Sequence, residues 1–428
     1  MSSATSTATH ARGSPLQQGL SYGALGLPLA FVALPLYIVL PNHYATVFGV
    51  PLATLGALLL GARLLDAFAD PWIGHWVDTW FAYSNRRVLA IAGAAAAVLA
   101  VGFHALFFPP VRETTSLLVW CGAWLVVTYL SYSVLSVLHQ SWGARLGGDE
   151  GQRARIVAWR EGLALAGVLV ASVLPAWAGL AVTSAVFAMA LALGVAMLTV
   201  APSSHASVRR LVAASMRAPL ANPAFRRLLS VFMVNGVASA LPATLVLFFI
   251  RDRLQLPSFE PLFLFSYFAA GAMSMPLWVK AVGRWGLAWS WLGGMALAIV
   301  AFISAAALGP GDLLAFTAVC LASGLALGAD LALPGALLAG VIQRAGHAGQ
   351  AEGAYFGWWN FATKLNLALA AGLALPLLGA FGYAPGTRDA SALHVLALAY
   401  GLLPCVLKLL AAVMLFRLWV RPSQGEGR

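Results

Sequence analysis

The chain has 428 residues, 61% of them hydrophobic and only 9% charged, with 25 Lys and Arg against 14 Asp and Glu for a formal net charge of +11. A soluble protein carries roughly 25% charged residues to cover its surface, so the composition excludes a soluble fold and defines an integral membrane protein. The apolar runs are about 20 residues long, the length of a membrane-crossing helix, where barrel strands would be short and alternating.

Residues 1–18 are polar and rich in Ser, Thr and Ala, and read as a disordered cytoplasmic tail. Twelve spans follow, at about 19–42, 51–77, 88–109, 115–139, 156–178, 181–201, 227–250, 260–282, 287–309, 312–342, 353–381 and 391–417. The fifth and sixth are divided only by an Ala/Gly junction near Ala178. Alternate loops differ in charge. One set holds Arg86, Arg87, Arg145, Arg153, Arg155, Arg209, Arg210, Arg217, Arg284, Arg344, Arg421 and Arg428; the other holds only Arg112, Arg251, Arg253 and Arg388. Arginine gathers on the cytoplasmic side, so this alternation places both termini there.

The basic stretch 202–226, with Pro202 and Pro219, reads as a cytoplasmic central loop between two six-helix halves, 19–201 and 227–418, followed by a cytoplasmic tail at 419–428. The expected fold is therefore all-α, with twelve transmembrane helices on the plan of the major facilitators, whose halves rock about a midplane site. Pro28, Pro35, Pro71, Pro334 and Pro376 fall within spans and are candidate kinks. Cys121, Cys320 and Cys405 lie in apolar spans without metal-ligand spacing and read as packing residues.

The most informative stretch is Arg63-Leu-Leu-Asp-Ala-Phe-Ala-Asp-Pro-Trp-Ile-Gly-His-Trp-Val-Asp78. Arg63, Asp66 and Asp70 lie on one helix face. Each charge at mid-membrane costs roughly 2.5–3.5 kcal/mol on insertion scales, so the face must meet protein, a partner or water. Two carboxylates a turn apart offer hard oxygen ligands for Na⁺, or hold a proton because like charges resist joint ionisation; Arg63 is placed to neutralise one of them. The alternative is an Arg–Asp pair that only pins two helices. Lys364, alone inside span eleven, needs a carboxylate partner, and Asp66 and Asp70 are the candidates across the cavity.

These residues resemble a known family. Arg63-x-x-Asp66-Ala-x-x-Asp70-Pro-x-x-Gly74 is similar to the second-helix motif of the glycoside–pentoside–hexuronide:cation symporters, the melibiose-permease-like branch of the major facilitators. The resemblance implies that Asp66 and Asp70 bind Na⁺, Li⁺ or H⁺, and that Lys364, in Gly357-Trp-Trp-Asn-Phe-Ala-Thr-Lys-Leu-Asn366, is the family's eleventh-helix lysine. Glu352 lies twelve residues before Lys364, as in the family, and Arg160 falls where the family has a substrate-contacting arginine. The Gly74–Arg87 segment resembles the facilitator helix two–three loop, which implies a gating role for Asp78, Arg86 and Arg87. The sequence also departs from the pattern. Pro28 stands where the melibiose carrier has a sugar-gripping acid, His139 aligns with its helix-four acid, and Ala339-Gly-Val-Ile-Gln343 replaces a segment with two aspartates. The galactoside site is therefore not carried over. His139 would bring proton coupling into the cation site, or else be a core histidine bonded to a carbonyl.

Asp330, isolated in mid-span, is a candidate binding or gating residue, with a helix-packing bond as the alternative. Trp142, Tyr355, Trp358 and Asn360 are candidate substrate contacts, since aromatic faces suit sugar rings and amides read hydroxyls. Together these features predict a cation-coupled (Na⁺ or H⁺) symporter of the bacterial inner membrane. It would carry a sugar or related polar solute by alternating access, without a cofactor or nucleic-acid partner, as a monomer in the lipid bilayer. The alternatives are a lysolipid or amphiphile carrier, proton-driven efflux, and a transport-inactive scaffold or sensor. No Ser/His/Asp set, metal cluster or phosphate loop points to an enzyme.

Overall fold

The computed structural model describes residues 14–202 and 215–421. Among them every regular element is helical. Nine helices have the length and apolarity of a membrane span, at mean hydropathy between 1.6 and 2.2. Two of these, Glu150–Val200 and Pro257–Ala306, are each broken by a glycine and supply two spans apiece. The charged helix Leu52–Tyr83 completes a set of twelve.

In chain order these are α1 (Pro15–Phe48), α2 (Leu52–Tyr83), α3 (Asn85–Phe107), α4 (Thr114–Arg145), α5 (150–178), α6 (180–200), α7 (Pro223–Arg253), α8 (257–285), α9 (287–306), α10 (Leu313–Arg344), α11 (Glu352–Ala380) and α12 (Ala390–Val420). The junction expected near Ala178 is Gly179, at φ 79 and ψ 170, and the α8–α9 break is Gly286, at φ 77 and ψ 170. Both backbones lie where only glycine goes without strain, so these two residues set the corners.

The first helix begins earlier than the sequence suggested. Ser14 accepts from Gln17 N, and Gln17 returns a bond to Ser14 N, so this capping box nucleates α1 at Pro15 within the stretch expected to be tail. The rest of that tail, most of the 202–226 loop and the end of the 419–428 tail lie outside the described residues. Asn222 caps α7, which starts at Pro223, and α12 runs on to Val420. Pro71, Pro334 and Pro376 lie inside helices, and Pro28 and Pro35 interrupt α1, with a π-helical turn at Pro35–Val39. All three cysteines are buried and free.

The two halves, α1–α6 and α7–α12, meet where α2 and α4 face α11 and where α5 faces α8 and α10. One continuous apolar core joins them at the arginine-rich end, through Val77, Phe81, Val157, Ala336, Ile342 and Phe356. A separate core, around Phe249, Phe316 and Tyr400, fills the opposite end of the second half alone. Helices α2 and α11 touch closely at the shared end: a Cβ on Gly74 would lie 2.1 Å from Gly353 O, so glycine is required there. Further along the same two helices, a Cβ on Gly61 or Gly372 would meet nothing within 4 Å. The two halves are thus packed closely at the arginine-rich end.

Candidate functional site

Asp66 and Asp70 sit on the inner face of α2, 5% and 0% exposed. Lys364 Nζ on α11 lies 2.7 Å from Asp66 Oδ2 and 2.8 Å from Asp70 Oδ2. It also donates to Ser133 Oγ on α4 at 2.8 Å, and that hydroxyl donates to Asp66 Oδ1 at 2.6 Å. Three side chains from two helices of the first half thus close on one ammonium from the second. Asp70 Oδ1 is buried with no hydrogen-bond partner. Two carboxylates share one lysine, so the centre holds one negative charge in excess. Buried carboxylates are tolerated only when compensated, which leaves this centre able to take one further monovalent cation or proton. Its ligands are all oxygen, from two carboxylates and a hydroxyl, a donor set that suits a hard cation.

Two residues expected at this centre make no direct bond to its carboxylates. Arg63 is exposed and lies over the Tyr37 ring, 3.5 Å from its centroid, making no ion pair with Asp66. The guanidinium stays on the Asp66 face of α2, near enough to act on that carboxylate electrostatically, while its plane lies on an aromatic ring. His139 makes no bond to either aspartate. Its Nε2 pairs with Tyr22 O at 2.7 Å, its ring lies against that of Tyr22, and Tyr22 Oη donates back to His139 O. It locks α4 to α1, because α4 turns its Ser133 face, not its His139 face, toward α11.

Helix α4 continues from Ser133 to Ser136 and Gln140, one and two turns on along the same face. Asn360, one turn before Lys364 on α11, donates to Ser136 Oγ at 3.4 Å, and Gln140 donates to the same oxygen at 3.1 Å. Beside them lies a cavity of about 130 Å³ whose lining includes Tyr132, Ser136, His139, Gln140, Arg160 and Glu161. Arg160 thus lines this cavity, and Asn360 reaches its edge through Ser136. The remaining expected substrate contacts make their bonds elsewhere. Trp142 donates to Pro202 O and Trp358 to Met216 O, so each indole pins a connecting segment at the arginine-rich end. Tyr355 Oη accepts from Asn222 and pairs with His347, tying the starts of α7 and α11.

Asp330 is likewise committed. Lys408 Nζ lies 2.6 Å from its Oδ2, and Ser239, Asn235 and Trp291 donate to its oxygens at 3.1, 3.1 and 2.9 Å. Lys408 also donates to Asn235 and Ser239. The network joins α7, α9, α10 and α12 within the second half, and a carboxylate so fully satisfied serves packing more than binding.

At the arginine-rich end Asp78 accepts from Gly353 N at 2.7 Å and Ala354 N at 2.8 Å, capping the start of α11. Arg145, at the end of α4, lies 2.9 Å from both Asp78 Oδ1 and Glu352 Oε2 and donates to Gly349 O. Glu352 accepts from Gly349 N. Asp78 and Glu352 thus meet in one latch between the halves, but Arg86 and Arg87 do not join it: both are exposed, with Arg87 over the Tyr83 ring. The latch arginine is Arg145, which sequence reading left among loop charges. Its signal was a basic residue closing span four on the side where Asp78 ends span two. Ser133 was missed because a serine in an apolar helix has no signature.

Two six-helix bundles, closed at one end around a shared charged centre, define a major-facilitator transporter rather than an enzyme. The family model described as MFS/sugar transport protein matches residues 20–420, and the chain belongs to that family. It is 28% identical over 134 residues to the "Inner membrane symporter YicJ" of Escherichia coli (strain K12), covering 31% of this chain and 28% of that one. It is 27% identical over 161 residues to the "Uncharacterized symporter YjmB" of Bacillus subtilis (strain 168), covering 37% and 35%. The matched stretches thus span about a third of these curated relatives. Among solved structures, a bacterial homologue of the iron transporter ferroportin in an outward-facing state superposes at TM-score 0.69 with 17% identity, covering 94% of this chain and 99% of that one. The E. coli fucose:proton symporter FucP superposes at 0.62 with 14% identity, covering 92% and 97%. At such identities the likeness is one of fold.

Proposed function

We propose that the protein is a secondary active transporter coupling a monovalent cation, Na⁺ or H⁺, to symport of a sugar or related polar organic solute. The observation that carries this reading is Lys364 shared between Asp66 and Asp70 across the two halves. Lys364 occupies the oxygens a coupling ion would seek, so ion and lysine compete. An ion or proton at the aspartates cancels the excess charge, which lowers the cost of closing the cavity over the site. Ser133 and Lys364 stand at the ion centre, while Ser136, Gln140 and Asn360 stand beside the solute cavity on the same two helices. That adjacency supports coupling, since each ligand would alter the packing of α4 against α11. The family description supports the sugar assignment, and the symporter relatives support coupled transport.

Arginine on one side favours the cytoplasm for the latched end. The described state would then be closed to the cytoplasm, and transport would require the Asp78–Arg145–Glu352 latch to open. A bacterial inner-membrane location is supported by the E. coli relative and the charge pattern.

The test is uptake of a panel of radiolabelled uncharged sugars and glycosides into proteoliposomes under separate Na⁺ and H⁺ gradients. Wild-type protein is expected to concentrate at least one solute under one gradient, and Asp66→Asn and Asp70→Asn variants to lose concentration while remaining inserted. Uphill uptake by both variants at the wild-type level would exclude the aspartates as the coupling site.

A further inference from the structure

The solute cavity contains a carboxylate of its own, Glu161. Glu161 follows Arg160 on α5, and both Arg160 Nε (2.9 Å) and Nη2 (2.6 Å) donate to Glu161 Oε1. The two side chains are 11% and 20% exposed, so the pair is shielded from bulk water. Glu161 Oε2 takes no part in either contact, and both residues line the cavity between α1, α4 and α5. The guanidinium also faces the second half, with Arg160 Nη2 at 3.7 Å from where a Cβ on Gly335 of α10 would lie. Two further polar atoms at this cavity, His139 Nδ1 and Gln140 Oε1, are buried without a partner.

We propose that Glu161 is a charge-selectivity residue: by holding Arg160 it makes the cavity accept uncharged polyhydroxylated solutes and reject carboxylate-bearing ones. The inference rests on the proposed solute-transport role of this cavity. A free guanidinium in a low-dielectric cavity is a strong carboxylate receptor, because its planar fork matches two oxygens at once. Here that fork is already filled from the neighbouring residue. An anionic solute would have to displace Glu161, leaving one of two carboxylates buried without a cation. A neutral polyol asks for no displacement. Its hydroxyls find acceptors in Glu161 Oε2 and Gln140 Oε1, and donors in the guanidinium hydrogens outside the Glu161 contact. The arithmetic of charge agrees. Arg160 and Glu161 cancel, and Asp66, Asp70 and Lys364 are cancelled by one monovalent ion. Only an uncharged solute leaves the loaded site neutral.

The test compares matched probes that differ only at one carbon, a hydroxymethyl against a carboxylate: methyl glycosides and the corresponding methyl glycosiduronates, added to detergent-solubilised full-length protein at fixed ionic strength, with binding read by thermal shift. Wild type is expected to respond to neutral members at concentrations at least ten-fold below their acid partners, and Glu161→Gln to lose or reverse that preference. Glu161→Asp, which keeps the charge at shorter reach, is expected to lie between. Equal or tighter binding of the acids by wild type overturns the proposal. So does an unchanged preference in E161Q.

Formate provides a readout that needs no sugar. It is expected to stabilise E161Q against thermal unfolding relative to chloride, and to leave wild type and the Arg160→Gln, Glu161→Gln double variant unmoved. An identical formate response in all three proteins overturns the proposal. Selective stabilisation of E161Q by formate, with no glycoside bound by any protein, would uphold the charge clamp and reject the sugar reading.

Discussion

Lys364 Nζ stands 2.8 Å from Asp70 Oδ2, and this contact joins the eleventh helix of the chain to the second across the interface of the halves. Asp70 is wholly buried, its second oxygen has no partner, and the lysine is shared with Asp66. The arrangement is stable only while the charges remain nearly balanced, so it responds to any ion that alters the balance.

Removing the lysine unbalances it. Lys364→Gln leaves two carboxylates facing each other, and breaking a buried pair in this way costs about 3–5 kcal/mol. Part of that loss is expected to return when Na⁺ is added or the pH is lowered, since either supplies the missing positive charge. Unfolding midpoints measured across Na⁺ concentration and pH check this. A midpoint insensitive to both would show that the aspartates do not bind cations.

Ser133 is expected to tune the same centre. Its hydroxyl accepts from Lys364 and donates to Asp66, and hydrogen bonds to charged groups contribute about 1.5–3 kcal/mol. Ser133→Ala should change the cation concentration giving half-maximal uptake by about ten-fold or more, with little effect on expression. Concentration dependence of initial rates in proteoliposomes measures this.

Arg145 holds the latch from the first half, while Gly353 allows the second half to approach. Arg145→Gln leaves Asp78 and Glu352 without their shared cation. Gly353→Val adds a branched side chain where even a Cβ would lie 2.2 Å from Gly74 O. Both changes are expected to open the arginine-rich end. Spin labels at Tyr83 and Ala345, both exposed there and in opposite halves, should then report a longer distance by double electron–electron resonance. The wild-type distance in both variants would deny the latch its role.

The Asp330–Lys408 pair is expected to behave as packing. Lys408→Met alone should destabilise by about 3–5 kcal/mol, whereas Lys408→Met with Asp330→Leu should recover much of that loss, because replacing both partners restores an apolar core. A double-mutant cycle on unfolding midpoints, read with uptake, separates this from a coupling role. A folded double variant that transports normally fits the packing role, and a folded one without ion coupling would not.

Much of the fold was legible because lipid permits few solutions. Apolar runs fixed the helices, arginine sorted the loops, and the Gly179 corner lay within a residue of the expected junction. The Asp66, Asp70 and Lys364 centre was legible for the same reason: charges in a span must find one another. What failed was facing and choice of partner. Spacing put Arg63 on the aspartate face, where it stands near Asp66 but lays its guanidinium on the Tyr37 ring in place of an ion pair. Loop position suggested Arg86 and Arg87 for the gate, yet Arg145 extends from the end of a helix straight between two acids. Trp142, Tyr355 and Trp358 were read as cavity aromatics, although an indole or phenol near a helix end more readily satisfies a loop carbonyl or amide. Lys408 and Asp330 are 78 residues apart in sequence, and nothing local marks them as partners.

The central claim is that the Asp66–Asp70–Lys364 centre binds the coupling ion, and charge movement tests it without knowledge of the solute. Proteoliposomes on a solid-supported membrane are exposed to a Na⁺ jump and, separately, to a pH jump. The account predicts a transient capacitive current from wild type under at least one jump, and its loss in the Asp66→Asn, Asp70→Asn double variant. A current of the same size in that variant, or no current from wild type under either jump, would contradict it.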